Sequence, residues 1–127
     1  MPKKILITED SPTILEIIKD TLEGAGYSVI TASDGQEAFE KTHKHKPDLI
    51  VLDIMLPKID GYIVCGMLKH DENYAKTPIV MLTARASEKD KKMGAEVLAD
   101  AYFVKPFKPE ELLSKIKELL QKVKEEE

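Results

Sequence analysis

Four short apolar segments of the chain each run into a polar residue, and this repeated arrangement constrains the fold more than any other sequence feature. The segments are residues 4–8, 49–52, 79–82 and 101–104, and the polar residues that follow them are Glu9 with Asp10, Asp53, Thr83 and Lys105. If the segments are neighbouring parallel strands, their carboxyl ends lie at one edge of one sheet, where open α/β sheets build their sites. The pattern therefore predicts a shallow cleft with three carboxylates, a hydroxyl and an ammonium, which suits a divalent metal and a phosphoryl group.

Strand and helix patterns alternate five times along the chain. Five strands are predicted, at residues 5–8, 27–32, 49–52, 79–82 and 101–104. Helices are predicted after Ser11, after Asp34, over residues 62–70, over residues 87–97 and from Pro109 onward. This alternation implies right-handed crossovers and a parallel sheet with helices on both faces. The four consecutive apolar residues 49–52 predict that the third strand is buried on both of its sides.

Composition narrows the class of protein. A chain of 127 residues with 43% apolar and 33% charged residues is of the size and type that folds as one globular domain. Its net charge of -4 gives no reason to expect direct nucleic-acid binding. The single cysteine, Cys65, cannot form an internal disulfide, which fits a reducing compartment. We find no secretory signal and no apolar run that could cross a bilayer, and we predict a cytoplasmic protein without membrane association.

The acidic residues at the strand ends suit magnesium and phosphoryl transfer. Mg²⁺ prefers oxygen ligands, and one or two carboxylates beside a phosphate suffice to bind it. Asp10 and Asp53 are the expected direct ligands, with Glu9 binding directly or through water. Carboxylates can also act as nucleophiles that form acyl-phosphates. Asp53 is the best candidate for this role, because it ends the central and most apolar strand.

Five stretches of the sequence, taken in order, resemble the receiver domain of two-component response regulators, the CheY-like family. The matching stretches are ILITED at 5–10, PDLIVLDIMLP at 47–57, DG at 60–61, PIVMLTA at 78–84 and KPF at 105–107. The resemblance implies a doubly wound (βα)5 fold of the flavodoxin type, with strand order 2-1-3-4-5. It also implies a receiver domain over residues 1–121, followed by a charged tail at 122–127 that we expect to fray.

The resemblance assigns the acceptor and the metal site residue by residue. Asp53 matches the phosphoacceptor, which takes its phosphoryl group from a phosphohistidine on a histidine kinase or a histidine phosphotransfer protein. Glu9, Asp10, Asp53 and the backbone carbonyl of Met55 match the positions that bind Mg²⁺, with Mn²⁺ as an alternative. The implied function is a phosphorylation-controlled switch that catalyses its own phosphorylation and a slow dephosphorylation, and so is not an enzyme in the ordinary sense.

The resemblance also identifies the residues that would respond to phosphorylation. Lys105 matches the lysine that pairs with the phosphoryl oxygen, and its bond to Pro106 matches a peptide bond that is typically cis. Thr83 matches the hydroxyl that moves toward the phosphate, and Tyr102 matches the aromatic ring that swings inward with it. The face formed by the fourth helix, the fifth strand and the last helix is implied to present the change to an output partner or a linked effector domain. The protein is expected to be a monomer or a phosphorylation-dependent dimer.

The sequence departs from the family at three positions. Glu9 stands where an aspartate is more usual, which lengthens its reach and favours metal contact through water. Leu98 stands where glycine is common, and a left-handed conformation costs leucine roughly 1 kcal/mol. We therefore expect the end of the fourth helix to be rebuilt there. Ile59 replaces a common methionine, and we expect no effect from it.

Three other functions are weighed against the switch. A phosphatase of the haloacid dehalogenase type would need an Asp-x-Asp pattern after the first strand, whereas this chain has Glu9, Asp10 and Ser11. A nucleotide- or flavin-binding module would need a Gly/Ser/Thr-rich loop there. A degenerate receiver that binds proteins independently of phosphorylation is the main alternative. The kinase, the signal, the output and any further domains are left open by the sequence.

Overall fold

Five parallel strands form one sheet in the computed structural model, which describes residues 2–84 and 98–126. The strands are β1 (Lys4–Thr8), β2 (Ser28–Ala32), β3 (Leu49–Asp53), β4 (Ile79–Thr83) and β5 (Ala101–Val104). Their order across the sheet is β2-β1-β3-β4-β5, and each neighbouring pair is parallel. The predicted fold class and strand order are therefore confirmed.

The register of the sheet brings the strand ends to one edge. Thr8 lies opposite Leu52, Asp53 opposite Leu82, and Thr83 opposite Val104. Because all strands run in one direction, the residues that directly follow these positions leave the sheet on the same side. The polar residues at the carboxyl ends of β1, β3, β4 and β5 therefore lie together at one edge of the sheet.

The described helices begin where the sequence provides caps. These helices are α1 (Pro12–Gly24), α2 (Gly35–His45), α3 (Gly61–Lys69) and a C-terminal helix (Pro109–Glu126). The Ser11 hydroxyl accepts a hydrogen bond from the Ile14 amide, and Asp34 accepts one from the Glu37 amide, which satisfies otherwise unpaired N–H groups. The predicted helix at 87–97 lies outside the described residues. The C-terminal helix extends as far as Glu126, and fraying of the charged tail stays a prediction. None of the described helices is long and apolar enough to span a membrane.

Two hydrophobic layers sandwich the sheet. On one side, strand residues such as Leu6 and Leu52 pack against α2 and α3. On the other side, residues such as Ile7 and Val51 pack against α1 and the C-terminal helix. All five residues of β3 are buried, which confirms the prediction from its unbroken apolar sequence. The central strand that ends in Asp53 is thus held on both faces.

Leu98 adopts the left-handed conformation that the family usually assigns to glycine. Its φ is 65° and its side chain is 56% exposed. Two hydrogen bonds join Asp100 to Ile79: the Asp100 amide donates to the Ile79 carbonyl oxygen and the Asp100 Oδ2 accepts from the Ile79 amide, both at 2.8 Å. This pairing fixes the chain at the entrance to β5, and Leu98 itself keeps the left-handed conformation. The end of the fourth helix, which we expected to be rebuilt, lies outside the described residues.

Replacing Leu98 with glycine is expected to raise the free energy of unfolding by about 0.5–1 kcal/mol, because glycine tolerates a positive φ and the exposed side chain contributes little packing. Leu98→Ala is the matched control, since alanine keeps the Cβ that causes the strain. Urea denaturation of the three proteins tests this. Equal stabilisation by alanine and glycine would show that backbone conformation is not the cause.

Candidate functional site

Three carboxylates meet at the carboxyl edge of the sheet. Glu9 and Asp10 follow β1, and Asp53 is the last residue of β3. One oxygen of each lies within 4.8 Å of the others. Glu9 and Asp53 are buried, with 1% and 3% of their surface exposed, whereas Asp10 faces solvent. The predicted acidic cluster is therefore present, with two members inside the protein and one at its mouth.

Lys105 brings a positive charge to the two buried carboxylates. Its Nζ donates to both carboxylate oxygens of Glu9 at 2.9 Å and to Asp53 Oδ2 at 2.8 Å. The Lys105 amide donates to the carbonyl oxygen of Thr83 at 2.7 Å, which ties the end of β5 to the end of β4. The peptide bond between Lys105 and Pro106 is cis, as the resemblance implies. The Lys105 ammonium thus hydrogen-bonds to the carboxylates of both Glu9 and Asp53.

The charges in this cluster shift one another's protonation. Burial, reinforced by the neighbouring Asp53, raises the pKa of Glu9 to about 7, although Lys105 acts in the opposite direction. Burial lowers the pKa of Lys105, but its hydrogen bonds to Asp53 and Glu9 outweigh this and raise the pKa overall. With Lys105 as the neighbouring cation, Glu9 still retains its proton above the usual pH range for a carboxylic acid.

The donor set fits a hard divalent cation. Glu9, Asp10 and Asp53 supply three carboxylates against the single positive charge of Lys105, so a fully ionised cluster carries an excess negative charge. Carboxylate oxygens are the ligands that Mg²⁺ prefers, and they also suit Mn²⁺. A bound cation would offset the burial and the neighbouring Asp53, which together raise the pKa of Glu9. The three acidic residues can therefore hold the metal that the sequence predicts.

The segment after β3 holds the Asp53 carboxylate in place. The amide of Met55 donates to Asp53 Oδ1 at 3.0 Å, and the amide of Ile54 donates to the Leu82 carbonyl oxygen at 2.8 Å. Asp53 therefore has one oxygen on a backbone amide and the other on Lys105. The backbone of Met55 lies beside the acidic cluster. Metal binding by its carbonyl oxygen stays a prediction.

Gly61, the first residue of α3, packs directly against this strand end. A Cβ at Gly61 would clash with the backbone carbonyl oxygen of Asp53 and with the Cα of Ile54. The Gly61 amide donates to the Ile54 carbonyl oxygen at 3.0 Å, and the Asp60 side chain caps the helix by accepting from the Tyr62 amide. The resemblance includes Asp60 and Gly61, but the contact with the backbone of Asp53 was not predicted.

The two predicted switch residues lie on neighbouring strands. Thr83 is fully buried at the end of β4, next to the cluster through its carbonyl bond with Lys105. Tyr102 lies in β5 opposite Met81 and packs, half-buried, against the core layer beneath α2 and α3. Their movements on phosphorylation stay predictions. Arg85, two residues after Thr83, lies outside the described residues.

The bidentate contact between Glu9 and Lys105 is the functional feature that the sequence did not reveal. The predicted partners were a metal for Glu9 and a phosphoryl oxygen for Lys105. The two residues are 96 positions apart, and their contact depends on side-chain reach across the ends of β3 and β4, which lie between β1 and β5. The available signal was the longer side chain of Glu9 at a position where aspartate is usual, which was interpreted only in terms of the metal.

Comparison with known proteins gives concordant matches. Residues 5–117 match the family profile described as the response regulator receiver domain. The chain is 48% identical over 122 residues to the alkaline phosphatase synthesis transcriptional regulatory protein PhoP of Bacillus subtilis, covering 96% of this chain and 50% of that protein. It is 44% identical to the DNA-binding dual master transcriptional regulator RpaA of Synechocystis, with the same coverage of 96% and 50%. The chain thus spans about half the length of the curated relatives it matches.

Solved structures agree with the sequence matches. A CheY-like response regulator receiver domain protein from Methanospirillum hungatei superimposes with a TM-score of 0.93 at 32% identity, covering 100% of both chains. The chemotaxis response regulator CheY4 of Vibrio cholerae superimposes with a TM-score of 0.87 at 37% identity, covering 94% of this chain and 99% of that one. The similarity extends over the sheet and over the edge that carries the acidic cluster.

Proposed function

Since the chain belongs to the response regulator receiver domain family, and so is a phosphorylation-controlled switch of two-component signalling, we propose that Asp53 is the residue that accepts the phosphoryl group. The observation that carries this proposal is the position of its carboxylate. Asp53 ends the central strand, and its two oxygens are held by the Met55 amide and the Lys105 ammonium. Asp10, by contrast, is exposed, and both oxygens of Glu9 are bound to Lys105.

The transfer is a displacement at phosphorus. A carboxylate oxygen of Asp53 attacks the phosphoryl group of a phosphohistidine, the P–N bond breaks, and the imidazole leaves with its electron pair. Such reactions pass through a loose transition state, so the protein contributes mainly position and charge. Lys105, which now pairs with Asp53, would pair with an oxygen of the transferred group, and the buried Thr83 would donate a hydrogen bond to it after moving inward.

The acidic cluster is proposed to hold Mg²⁺, or Mn²⁺ in its place. Glu9, Asp10 and Asp53 would bind it together with the carbonyl oxygen of Met55. When bound, the cation supplies positive charge that offsets the charge on the phosphoryl oxygens. Lys105, which now pairs with Glu9 and Asp53, would supply a second positive charge to the incoming phosphoryl group.

The output is proposed to be a biased two-state change. Inward movement of Thr83 would vacate space that the half-buried ring of Tyr102 can enter, and β5 would carry this change to the output face. That face is proposed to include the C-terminal helix and the predicted helix at 87–97, which lies outside the described residues. A bias of about 2–3 kcal/mol would turn an active state of a few per cent into the majority. Phosphorylation would thus change the surface offered to an output partner.

The partners follow from the same proposal. The phosphodonor is a histidine kinase or a histidine phosphotransfer protein, and the output is a separate protein or a linked effector domain. The relatives of about twice this length are named as transcriptional regulators, which favours a linked DNA-binding output. The receiver itself, with a net charge of -4, is proposed to act in the cytoplasm without direct contact to nucleic acid, as a monomer or a phosphorylation-dependent dimer.

Acetyl phosphate provides the direct test of the acceptor. Incubation with acetyl phosphate and Mg²⁺ is expected to add one phosphoryl group, detected by intact mass, and chelation of the metal is expected to prevent it. Asp53→Asn should abolish the adduct, because an amide is a poor nucleophile, whereas Asp48→Asn is the matched control at the start of the same strand, away from the cluster. A wild-type protein with no adduct in any condition would favour the phosphorylation-independent binding module.

The phosphoryl group is expected to persist for minutes or longer in the purified protein. Hydrolysis needs an oriented water, and Met55, the side chain beside the acceptor, is apolar and cannot hold one. After removal of acetyl phosphate, intact mass recorded over time gives the lifetime. Met55→Asn, which supplies a polar side chain at the same place, is expected to shorten it. A wild-type half-life of seconds would contradict the prediction.

A further inference from the structure

Met55 places an exposed thioether at the mouth of the acidic cluster. Its side chain is 55% exposed, while its amide is bonded to Asp53 Oδ1 at 3.0 Å. Among the methionines of the described residues, Met67 is also exposed, on α3, and Met81 is fully buried in β4. A methionine side chain has three rotatable bonds, so the sulfur can adopt several orientations while the backbone stays bonded to Asp53. The exposed thioether is therefore open to solutes at a position two residues from the proposed acceptor.

We propose that Met55 is an oxidation site through which peroxide shortens the lifetime of the phosphoryl group on Asp53. The inference rests on the proposed function, because it concerns the phosphorylated form of that same carboxylate. Oxidation of Met55 would regulate the hydrolysis of the aspartyl phosphate and not its formation. The chemistry has two steps, and both use groups placed at this edge of the sheet.

The first step converts the thioether into a sulfoxide. A lone pair on the sulfur of Met55 attacks one oxygen of hydrogen peroxide, the O–O bond breaks, and the other oxygen leaves as water after proton transfer. The sulfur is oxidised by two electrons and the peroxide is reduced by two. The side chain thereby changes from a flexible apolar group into a polar one with a strongly accepting oxygen, and methionine sulfoxide reductases reverse the change.

The second step is hydrolysis of the aspartyl phosphate. A thioether sulfur is a weak hydrogen-bond acceptor, so unmodified Met55 holds no water in front of the phosphorus. The sulfoxide oxygen accepts a hydrogen bond from a water and orients it for attack. The water oxygen bonds to phosphorus, the bond between phosphorus and the Asp53 oxygen breaks, and the carboxylate leaves with the electron pair. The proton lost by the water passes to the released phosphate.

The other oxidisable groups of the described residues are protected or distant from the acceptor. Cys65 is fully buried, and burial raises the pKa of its thiol to about 12, so it stays in the unreactive protonated form. Met81 has no exposed surface. Met67 is 43% exposed and will react, but it lies more than one turn along α3 and offers a control with similar accessibility.

The experiment compares oxidised and untreated protein. The full chain is treated with dilute hydrogen peroxide, the reagent is removed, and peptide mapping locates sulfoxide at each methionine. Both samples are then phosphorylated with acetyl phosphate and Mg²⁺, the donor is removed, and intact mass follows phosphoryl loss. Oxidation is expected to raise the rate constant of loss by about threefold to tenfold, since the water becomes positioned. Reduction by methionine sulfoxide reductases should restore the slower rate.

Two variants locate the effect. In Met67→Leu, oxidation should accelerate phosphoryl loss as in the wild type, whereas in Met55→Leu treated and untreated samples should lose the group at the same rate. Acceleration that persists in Met55→Leu, an unchanged rate in oxidised wild type, or a Met55 that resists the peroxide would each overturn the inference while leaving the proposed function intact. An untreated protein that takes no phosphoryl group would overturn the proposed function, and this inference with it.

Discussion

In the absence of a divalent cation, Glu9→Gln is expected to stabilise the protein by roughly 2–3 kcal/mol at pH 8 and to have little effect near pH 5. The pKa of Glu9 is raised from 4.5 to about 7 in the folded protein, chiefly by burial. Between these two values the folded state keeps a proton that the unfolded state has released. The free energy of unfolding of the wild type therefore falls as pH rises through this window and levels off above pH 7. Glutamine does not titrate, so the Glu9→Gln variant does not lose stability through this ionisation.

Urea denaturation at pH 5, 6, 7 and 8 in the presence of a chelator measures this difference. Glu16→Gln, which removes the same charge from an exposed position on α1, controls for the change in net charge. Mg²⁺ at pH 8 should raise the stability of the wild type more than that of Glu9→Gln, because a cation binds the ionised carboxylate of the folded state. Parallel pH profiles for the wild type and Glu9→Gln would show that the buried carboxylate does not carry this proton.

Gly61→Ala is expected to destabilise the protein by about 2–3 kcal/mol, because the added methyl group has no room. It is also expected to slow phosphorylation by acetyl phosphate by about tenfold to a hundredfold, since the clash falls on the carbonyl oxygen of Asp53 and displaces the acceptor. Urea denaturation and the initial rate of adduct formation, both measured at low temperature where the variant is folded, test the two effects.

Gly24→Ala is the matched control for this substitution. Gly24 is the last residue of α1, and a Cβ there would have no heavy atom within 4 Å. Alanine at this position is expected to be neutral, or to stabilise the protein by about 0.5–1 kcal/mol because it lowers the conformational entropy of the unfolded chain. If Gly61→Ala behaved like Gly24→Ala in both measurements, the close approach of α3 to the backbone of Asp53 would not constrain the acceptor.

The fold and the position of the site were predictable from the sequence because they depend on repeated local patterns. Buried parallel strands appear as unbroken apolar runs such as residues 49–52, and helix starts appear as capping residues such as Ser11 and Asp34. Polar residues at strand ends must meet once the strands are parallel, so Asp53 and Lys105 came together without knowledge of any side-chain conformation.

The features that escaped prediction depend on three-dimensional detail. The Glu9 carboxylate contacts the Lys105 ammonium across the ends of β3 and β4, and no local sequence pattern encodes that contact. The fit of Gly61 against Asp53 is a close approach of two backbones, in which an added Cβ would clash with the Asp53 carbonyl oxygen. Leu98 keeps a costly conformation because the pairing of Asp100 with Ile79 outweighs the preference of the residue.

The proposed acceptor and its surroundings come from four segments that are remote in sequence and adjacent only in the completed sheet. These segments carry Glu9 after β1, Asp53 at the end of β3, Thr83 at the end of β4 and Lys105 after β5. A nascent chain that has not yet formed β5 lacks the Lys105 ammonium at the cluster. If Asp53 accepts the phosphoryl group as proposed, competence to do so would therefore be acquired only when the sheet is complete. Partly folded copies would then not respond to the phosphodonor.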